Sequence, residues 1–158
     1  MTDVSEYRLN LARRFGADAA LDAREDIPRR LRQINAGRLA DCVIVCTGAV
    51  SAFGQAFQAV DRGGTVLCFA TTEPGVEIPV PINEFWRNEI RLIPSYGNSP
   101  LDATVAIELI RAGRVAVEGL ITHRLPLEDA GRGFQLVAAG GESLKVIIEP
   151  HGPPTQAV

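Results

Sequence analysis

The 158-residue chain has the size of one domain and is long enough to bury roughly two-thirds of its unfolded surface, which supports a true core. With 46% hydrophobic and 22% charged residues and a formal net charge of -3, it offers no electrostatic case for nucleic acid or an anionic membrane as partner. No apolar run approaches the ~20 residues that span a bilayer, and the polar, acidic N-terminus lacks the basic and apolar regions of a signal peptide, so a cytoplasmic protein is expected.

In chain order, "MTDVSEYRLNLARRFGAD" announces a helix by the fifth residue. Asp3 and Ser5 are N-cap types, Glu6 suits a first turn, and Gly16 suits a left-handed exit. A self-contained α/β domain would place a strand and a turn ahead of such a helix. "ADAALD" reads as a short strand, and "EDIPRRLRQINAG" spaces Ile27, Leu31 and Ile34 along a helix with Pro28 in its first turn and Gly37 as its stop. "DCVIVCTG" is a continuous apolar strand of the kind buried on both faces of a parallel sheet. "SAFGQAFQAV" predicts a helix capped by Ser51, with Phe53, Phe57 and Val60 on one face and "DRGG" as its exit turn. "TVLCFA" is a further strand, and a Pro-rich connection leads through a short "NEFWRNE" helix to the strand "IRLIPSY". "SPLDATVAIELIRAG" is a helix with Val105 and Leu109 on one stripe; "EGLITHRLPLED" is a strand entering a helix start, "LEDAGRGFQLVAAG" a glycine-weakened helix, and "LKVIIEP" a closing strand. The tail from His151 should be loose.

Alternation of apolar strands with helices predicts a doubly wound, Rossmann-type parallel sheet, whose ligands bind at the carboxyl ends of the strands. Those ends are Asp3, Cys46 to Gly48, Phe69 to Thr72 and Pro94 to Asn98. An acid at Asp3 is suited to accept both hydroxyls of an adenosine ribose, or else simply caps the helix; if it binds ribose, its charge repels a 2′-phosphate and selects NAD over NADP. Arg8 either lies over the adenine or ribose or is a solvated arginine. Thr47 and Gly48 mark a sharp turn or a close approach to a ligand, and the small Ala70 and Thr71 allow a flat ring near the backbone. Ser95 and Tyr96 bring hydroxyls to the mouth of such a cleft, or pack its rim. His123 has no evident catalytic partner and is expected to be structural, bonded to backbone. Cys42 and Cys46 lie four apart on one strand, about 13 Å from each other, too far to chelate one ion. With Cys68 they are expected to be buried free thiols. There is no GxSxG, P-loop or metal-ligand cluster in the sequence.

The ordered segments "TDVSEYRLNLARRFGADAALD", "DCVIVCTGAVSAFGQAFQAVDRGGTVLCFA", "NEIRLIPSYGN", "LITHRLPLEDAGRGFQ" and "KVIIEP" resemble the C-terminal part of the zinc-dependent medium-chain dehydrogenases, in particular the sorbitol (iditol) and threonine dehydrogenase branch. The resemblance runs from Thr2 to Pro150. It implies hydride transfer between a nicotinamide and a secondary alcohol or polyol held on zinc. By the same resemblance Asp3 and Arg8 serve the adenosine ribose, Phe69, Ala70 and Thr71 flank the nicotinamide half, and Pro94, Ser95 and Tyr96 lie near nicotinamide and substrate. The polyol enzymes of this family commonly carry an arginine where Ser95 stands.

Two family features are not found in this sequence: the GxGxxG turn that seats pyrophosphate on a helix N-terminus, and the domain that supplies the zinc ligands. The implied organisation is a Rossmann domain incomplete at its N-terminus over residues 1–98, a segment returning towards the catalytic-domain region over 99–150, and a disordered tail over 151–158. The expected function is the NAD-binding half of a dehydrogenase, with no catalytic residues of its own and inactive alone, acting as a homo-oligomer or paired with an N-terminal half. The alternative is a non-catalytic nucleotide-binding or oligomerisation remnant; a methyltransferase-like sheet is a weaker third reading.

Overall fold

A computed structural model describes residues 1–152 and divides the chain into two compact units, Met1–Gly97 and the part from Asn98 onward. Among the described residues no helix is long and apolar enough to cross a membrane. The first unit opens with strand β1 (Thr2–Asp3), helix α1 (Glu6–Arg14) and strand β2 (Leu21–Asp22). Ser5, not Asp3, is the N-cap: its Oγ accepts from the Arg8 amide, while Glu6 and the pair Arg13 and Arg14 put charge of the favourable sign at each end. Gly16, at φ +90, makes the left-handed exit. Leu9 and Ala12 are buried against Ala20, which packs α1 on the parallel pair β1–β2.

Helix α2 (Ile27–Ile34) starts on Asp26, whose Oδ1 accepts from the Arg29 amide at 3.0 Å, with Pro28 in the first turn. Strand β3 (Ala40–Val45), helix α3 (Val50–Ala59), strand β4 (Val60–Cys68), helix α4 (Ile82–Asn88) and strand β5 (Arg91–Pro94) complete the unit. β3, β4 and β5 form one parallel sheet in that order, separate from β1–β2. The core lies between this sheet and its helices: Val45, Phe53, Ala56, Val60, Val66 and Phe85 pack together, and the Phe57 and Phe85 rings meet edge to face at 5.2 Å. A further cluster of Leu21, Ile27 and Ala59, with Leu31 and Val43 against it, joins β2 and α2 to α3 and β3.

Several expectations are corrected. Among the described residues of the first unit, β3 is covered on one face only. Side chains alternate along a strand, so Val43 and Val45 enter the core while Cys42 and Ile44 point the other way; Ile44 is 55% exposed. The thiols follow: Cys42 and Cys46 are exposed and Cys68 is only partly buried, all three free. α3 begins at Val50 without a side-chain cap, because the Ala49 amide is already held by Thr47 Oγ1 at 3.3 Å and the chain turns into the helix ahead of Ser51. "DRGG" is not an exit turn after the helix but part of β4. The ladder passes from Ala40↔Val60 to Cys42↔Thr65, so Asp61 to Gly64 bulge out within the strand.

In the second unit, helix α5 (Pro100–Arg111) carries a complete capping box between Ser99 and Asp102 yet buries no residue; Val105 and Leu109 are exposed. Strands β6 (Ile121–Pro126) and β7 (Lys145–Glu149) pair in parallel, with helix α6 (Ala130–Ala139) between them in sequence. Gly133 lets α6 approach this pair: a Cβ there would lie 3.2 to 3.4 Å from Ile148, Val146 and Leu125. The chain turns at Pro150 and His151, and the remainder of the expected loose tail, 153–158, lies outside the described residues.

Asp61 fastens the amino ends of β3 and β4. Its Oδ1 accepts from the Arg62 amide at 2.9 Å, its Oδ2 from the Leu39 amide at 3.1 Å, and Arg38, which also pairs with Asp41, lies 3.6 Å away. The Arg62 amide is the main cause that holds the Asp61 carboxyl below its ordinary value, helped by the Leu39 amide and by the charges of Arg38 and Arg32, against partial desolvation. A depressed carboxyl contributes stability that is present above the unfolded-state value, near 3.9, and lost as pH falls through the lower folded value. The thermal unfolding midpoint should therefore fall as pH is lowered from about 5 towards 3, and Asp61→Asn should lower the midpoint at neutral pH and flatten that acid limb.

Candidate functional site

The parallel ladders set the carboxyl ends of β3, β4 and β5 side by side. Val45 pairs with Cys68 and Cys68 with Pro94; beyond the ladder, the amides of Phe69 and Ala70 both donate to the Val45 carbonyl, at 3.0 and 2.9 Å, and the Ser95 amide donates to the Cys68 carbonyl at 3.0 Å. These bonds gather Thr47, Phe69, Ala70, Thr71, Pro94, Ser95 and Tyr96 along one rim, with Phe69 and Tyr96 presented outward. Gly48 allows the two neighbouring loops to touch: a Cβ there would lie 2.7 Å from the Thr71 carbonyl oxygen, too close for any side chain without a shift. Thr72 Oγ donates to the Val76 carbonyl at 3.0 Å and closes its loop.

Asp3 and Arg8 form a second group, at the carboxyl end of β1. Asp3 Oδ1 accepts from the Ser5 amide at 2.9 Å, and its Oδ2 is 3.9 Å from the Arg8 guanidinium. The Asp3 side chain is only 17% exposed, yet Oδ2 retains capacity to accept further bonds. Arg8 Nε is buried with no hydrogen-bond partner among the described residues. No hydrogen bond or ion pair among the described residues joins this group to the β3–β5 rim.

His123 stands apart in the second unit, and its partner is a hydroxyl rather than backbone: Nδ1 lies 3.0 Å from Thr122 Oγ1. That hydroxyl gives its single proton to the Lys145 carbonyl and accepts from the Leu144 amide, so towards the ring it can only accept, and the Nδ1 atom is the donor. Among the described residues no group of three or more His, Cys, Asp and Glu side chains is placed to hold a metal, so the residues present do not form a zinc site. A cleft of about 940 Å³ opens at the amino ends of β3, β4 and β5, lined by Arg32, Leu39, Asp61, Arg62 and Glu84 among others, and includes none of the carboxyl-end residues. One structural participant was not anticipated: Gln55, whose amide Nε2 donates 2.8 Å to the Ala23 carbonyl and ties α3 to the segment after β2. Its sequence signal is weak, since Gln58 and Ser51 stand at i+3 and i−4 of the same helix and nothing local sets Gln55 apart from them.

Residues 1–126 match the family model described as zinc-binding dehydrogenase. The chain belongs to the zinc-binding dehydrogenase family. Within it, sorbitol dehydrogenase 1 of Saccharomyces cerevisiae is 30% identical over 154 residues, covering 92% of this chain and 43% of that protein. An L-threonine 3-dehydrogenase of Idiomarina loihiensis is 26% identical over 149 residues, covering 94% and 43%. Among solved structures, an alcohol dehydrogenase from Thermotoga maritima superposes with a TM-score of 0.86 at 26% identity, covering 95% of this chain and 42% of that one. The chain thus spans less than half the length of these relatives, and its fold is the Rossmann-type α/β arrangement of helices on parallel strands.

The Gly48 contact gives a direct check. Gly48→Ala should destabilise the first unit by about 1–3 kcal/mol, because the added methyl must displace the Thr71 carbonyl. Gly54→Ala, inside α3 where a Cβ meets nothing within 4 Å, should be neutral or stabilising by up to about 1 kcal/mol. Urea unfolding of the two variants measures both.

Proposed function

We propose that the chain is the cofactor-binding half of an NAD-dependent, zinc-type dehydrogenase acting on a secondary alcohol or polyol, and that it does not turn over substrate by itself. The observation that carries the reading is the pairing of Asp3 with Arg8. A mostly covered carboxylate with spare acceptor capacity stands at a strand end beside a guanidinium nitrogen that lacks a partner. Two vicinal hydroxyls of a ribose suit such a carboxylate, and a 2′-phosphate does not, which favours NAD over NADP. The Gly48 and Thr71 approach supports the same reading, since it keeps the rim free of side chains where a flat ring would lie.

In this assignment Asp3 holds the adenosine ribose and Arg8 steadies it. Thr47, Phe69, Ala70 and Thr71 line the path of the dinucleotide, and Pro94 and Ser95 border the nicotinamide end. Ser95 and Tyr96 offer hydroxyls to an alcohol substrate. The bound nicotinamide supplies a hydride acceptor at its ring; the residues of this chain bind and orient it. Zinc chemistry belongs to ligands from outside the described residues.

The exposed apolar groove along α4, where Trp86 is 78% exposed and Ile82, Leu92 and Val80 also line the wall, supports a homo-oligomer in which a second copy covers it. Sedimentation should then give a dimer that Trp86→Lys converts to monomer.

Calorimetric titration of the 158-residue chain with NAD tests the main reading. A dissociation constant below about 1 mM, equivalent to roughly 4 kcal/mol, is expected, with Asp3→Asn weakening it about tenfold, or 1.4 kcal/mol. Weaker binding favours the alternative, an oligomerisation remnant without nucleotide. Alcohol-dependent formation of NADH by the isolated chain would overturn the claim that it is inactive alone.

A further inference from the structure

We propose that the cleft at the amino ends of β3, β4 and β5 is a binding site for a small organic monocarboxylate, with Arg32 and Arg62 taking the carboxylate and an apolar side taking the rest of the molecule. The cleft has a volume of about 940 Å³, within the range of small-molecule sites, and draws its walls from α2, α3, β4 and the segment that enters α4. Its apolar side is Val60, Phe57 and Ile90, which also pack on the core, joined by Pro79, Val80 and Pro81. Gly54 of α3 adds no side chain, and a Cβ there would meet nothing within 4 Å, so the space is open at that point.

The carboxylates on the cleft are engaged and the guanidinium groups are not. Asp61 accepts from the amides of Arg62 and Leu39 and lies 3.6 Å from Arg38; Asp26 caps α2 through the Arg29 amide; Glu84 stands in the first turn of α4, with Oε2 3.5 Å from the side-chain amide of Asn88. Neither Arg32 nor Arg62 makes an ion pair or a side-chain hydrogen bond among the described residues. Arg32, Arg38 and Arg62 balance Asp26, Asp61 and Glu84 in charge, so the spare capacity lies in directed donors rather than in a net field, which suits one carboxylate and not a polyanion. The local fold sets both arginines. Arg62 lies in the bulge of β4 from Asp61 to Gly64, which turns it out of the ladder, and its backbone amide rather than its side chain serves Asp61. Arg32 stands in the last turn of α2, close enough that its charge helps hold the Asp61 carboxyl below its ordinary value.

A planar guanidinium matches a carboxylate through two parallel N–H bonds, but both arginines are exposed, and an exposed ion pair alone holds little. The apolar side must therefore contribute, which asks for a ring or short chain behind the carboxylate. Acetate is too small to reach it, and an uncharged analogue of the same shape leaves the guanidinium groups unmatched. Because α2, α3 and β4 build the cleft together, an occupant ties them to one another and stabilises the first unit in step with its binding.

The test titrates hydrocinnamate, a carboxylate on a short chain with a phenyl ring, into the full 158-residue chain at neutral pH, with hydrocinnamamide and acetate as controls. Calorimetry should give saturable binding with a dissociation constant below about 1 mM, the thermal midpoint should rise with ligand, and backbone NMR shifts should centre on Leu39, Phe57, Arg62, Val80 and Ile90. The amide and acetate should each bind at least tenfold more weakly. Arg32→Gln and Arg62→Gln should each weaken the acid at least fivefold and leave the amide unchanged, with the ligand-free thermal midpoint held, since neither side chain bonds within the described fold. Arg114→Gln, exposed in the second unit, should change nothing. The proposal is overturned by equal binding of acid and amide, by unchanged binding in both arginine variants, by NMR shifts centred on Trp86 or Asp3 instead, or by no saturation at about 10 mM hydrocinnamate. None of these readouts involves nucleotide, so the cleft and the cofactor reading stand or fall separately.

Discussion

Everything in the first unit depends on a back layer that binds two sheets having no hydrogen bonds in common. β1–β2 and β3–β4–β5 are held together by side chains alone, through Ile27 and Leu31 of α2, Ala59 of α3, and the residues they clasp from β2 and β3. Apolar burial is non-directional, so it can fix two half-sheets at a set spacing without dictating a register between them. One directional bond, from Gln55 to the Ala23 carbonyl, supplements that grip. If this layer loosened, Asp3 and the β3–β5 rim would have no fixed relation.

The chemistry at the carboxyl ends is a consequence of ladder geometry. In a parallel sheet, adjacent strands finish level when their registers agree, and here Val45, Cys68 and Pro94 are successive partners. The loops that follow inherit that alignment and are drawn tighter by two amides sharing the Val45 carbonyl and by the contact that Gly48 permits. Residues from three separate loops can therefore form one rim. Asp3 reaches the same end of the fold by a different route, as the last residue of a two-residue strand whose following helix is capped by Ser5.

Much of this was readable from the sequence because local rules and the tertiary structure agree. Pro28 in a first turn and Gly16 at a left-handed exit are decided within a few residues, and each stands where expected. The errors arise where the answer lies in a partner strand or covering layer. "CVIVC" is apolar throughout and reads as a strand buried on both faces, but burial is a property of what lies above and below, and among the described residues of the first unit only the Val43 and Val45 face has a cover. The same misjudgement carried Cys42 and Cys46 into the core. Ser51 looked like a cap by type, yet Thr47 had already turned the chain. The candidate positions follow from strand ends, a topological rule, while the Arg8 nitrogen without a partner among the described residues and the Gly48–Thr71 approach depend on tertiary packing that no local pattern encodes.

The Asp61 clasp at the amino ends of β3 and β4 has a counterpart at the other end, where Phe69 and Ala70 hook onto Val45. A strand pair pinned at both ends cannot slide by one residue, a movement that would turn every side chain of β3 to the wrong face. Such a pair behaves like a ruler clamped at its two marks. The loops beyond it are then free to change length or chemistry without disturbing the scale from which they project. Exchanges among the residues after Val45, Cys68 and Pro94 should accordingly leave the register of the sheet intact while the clamps are left alone.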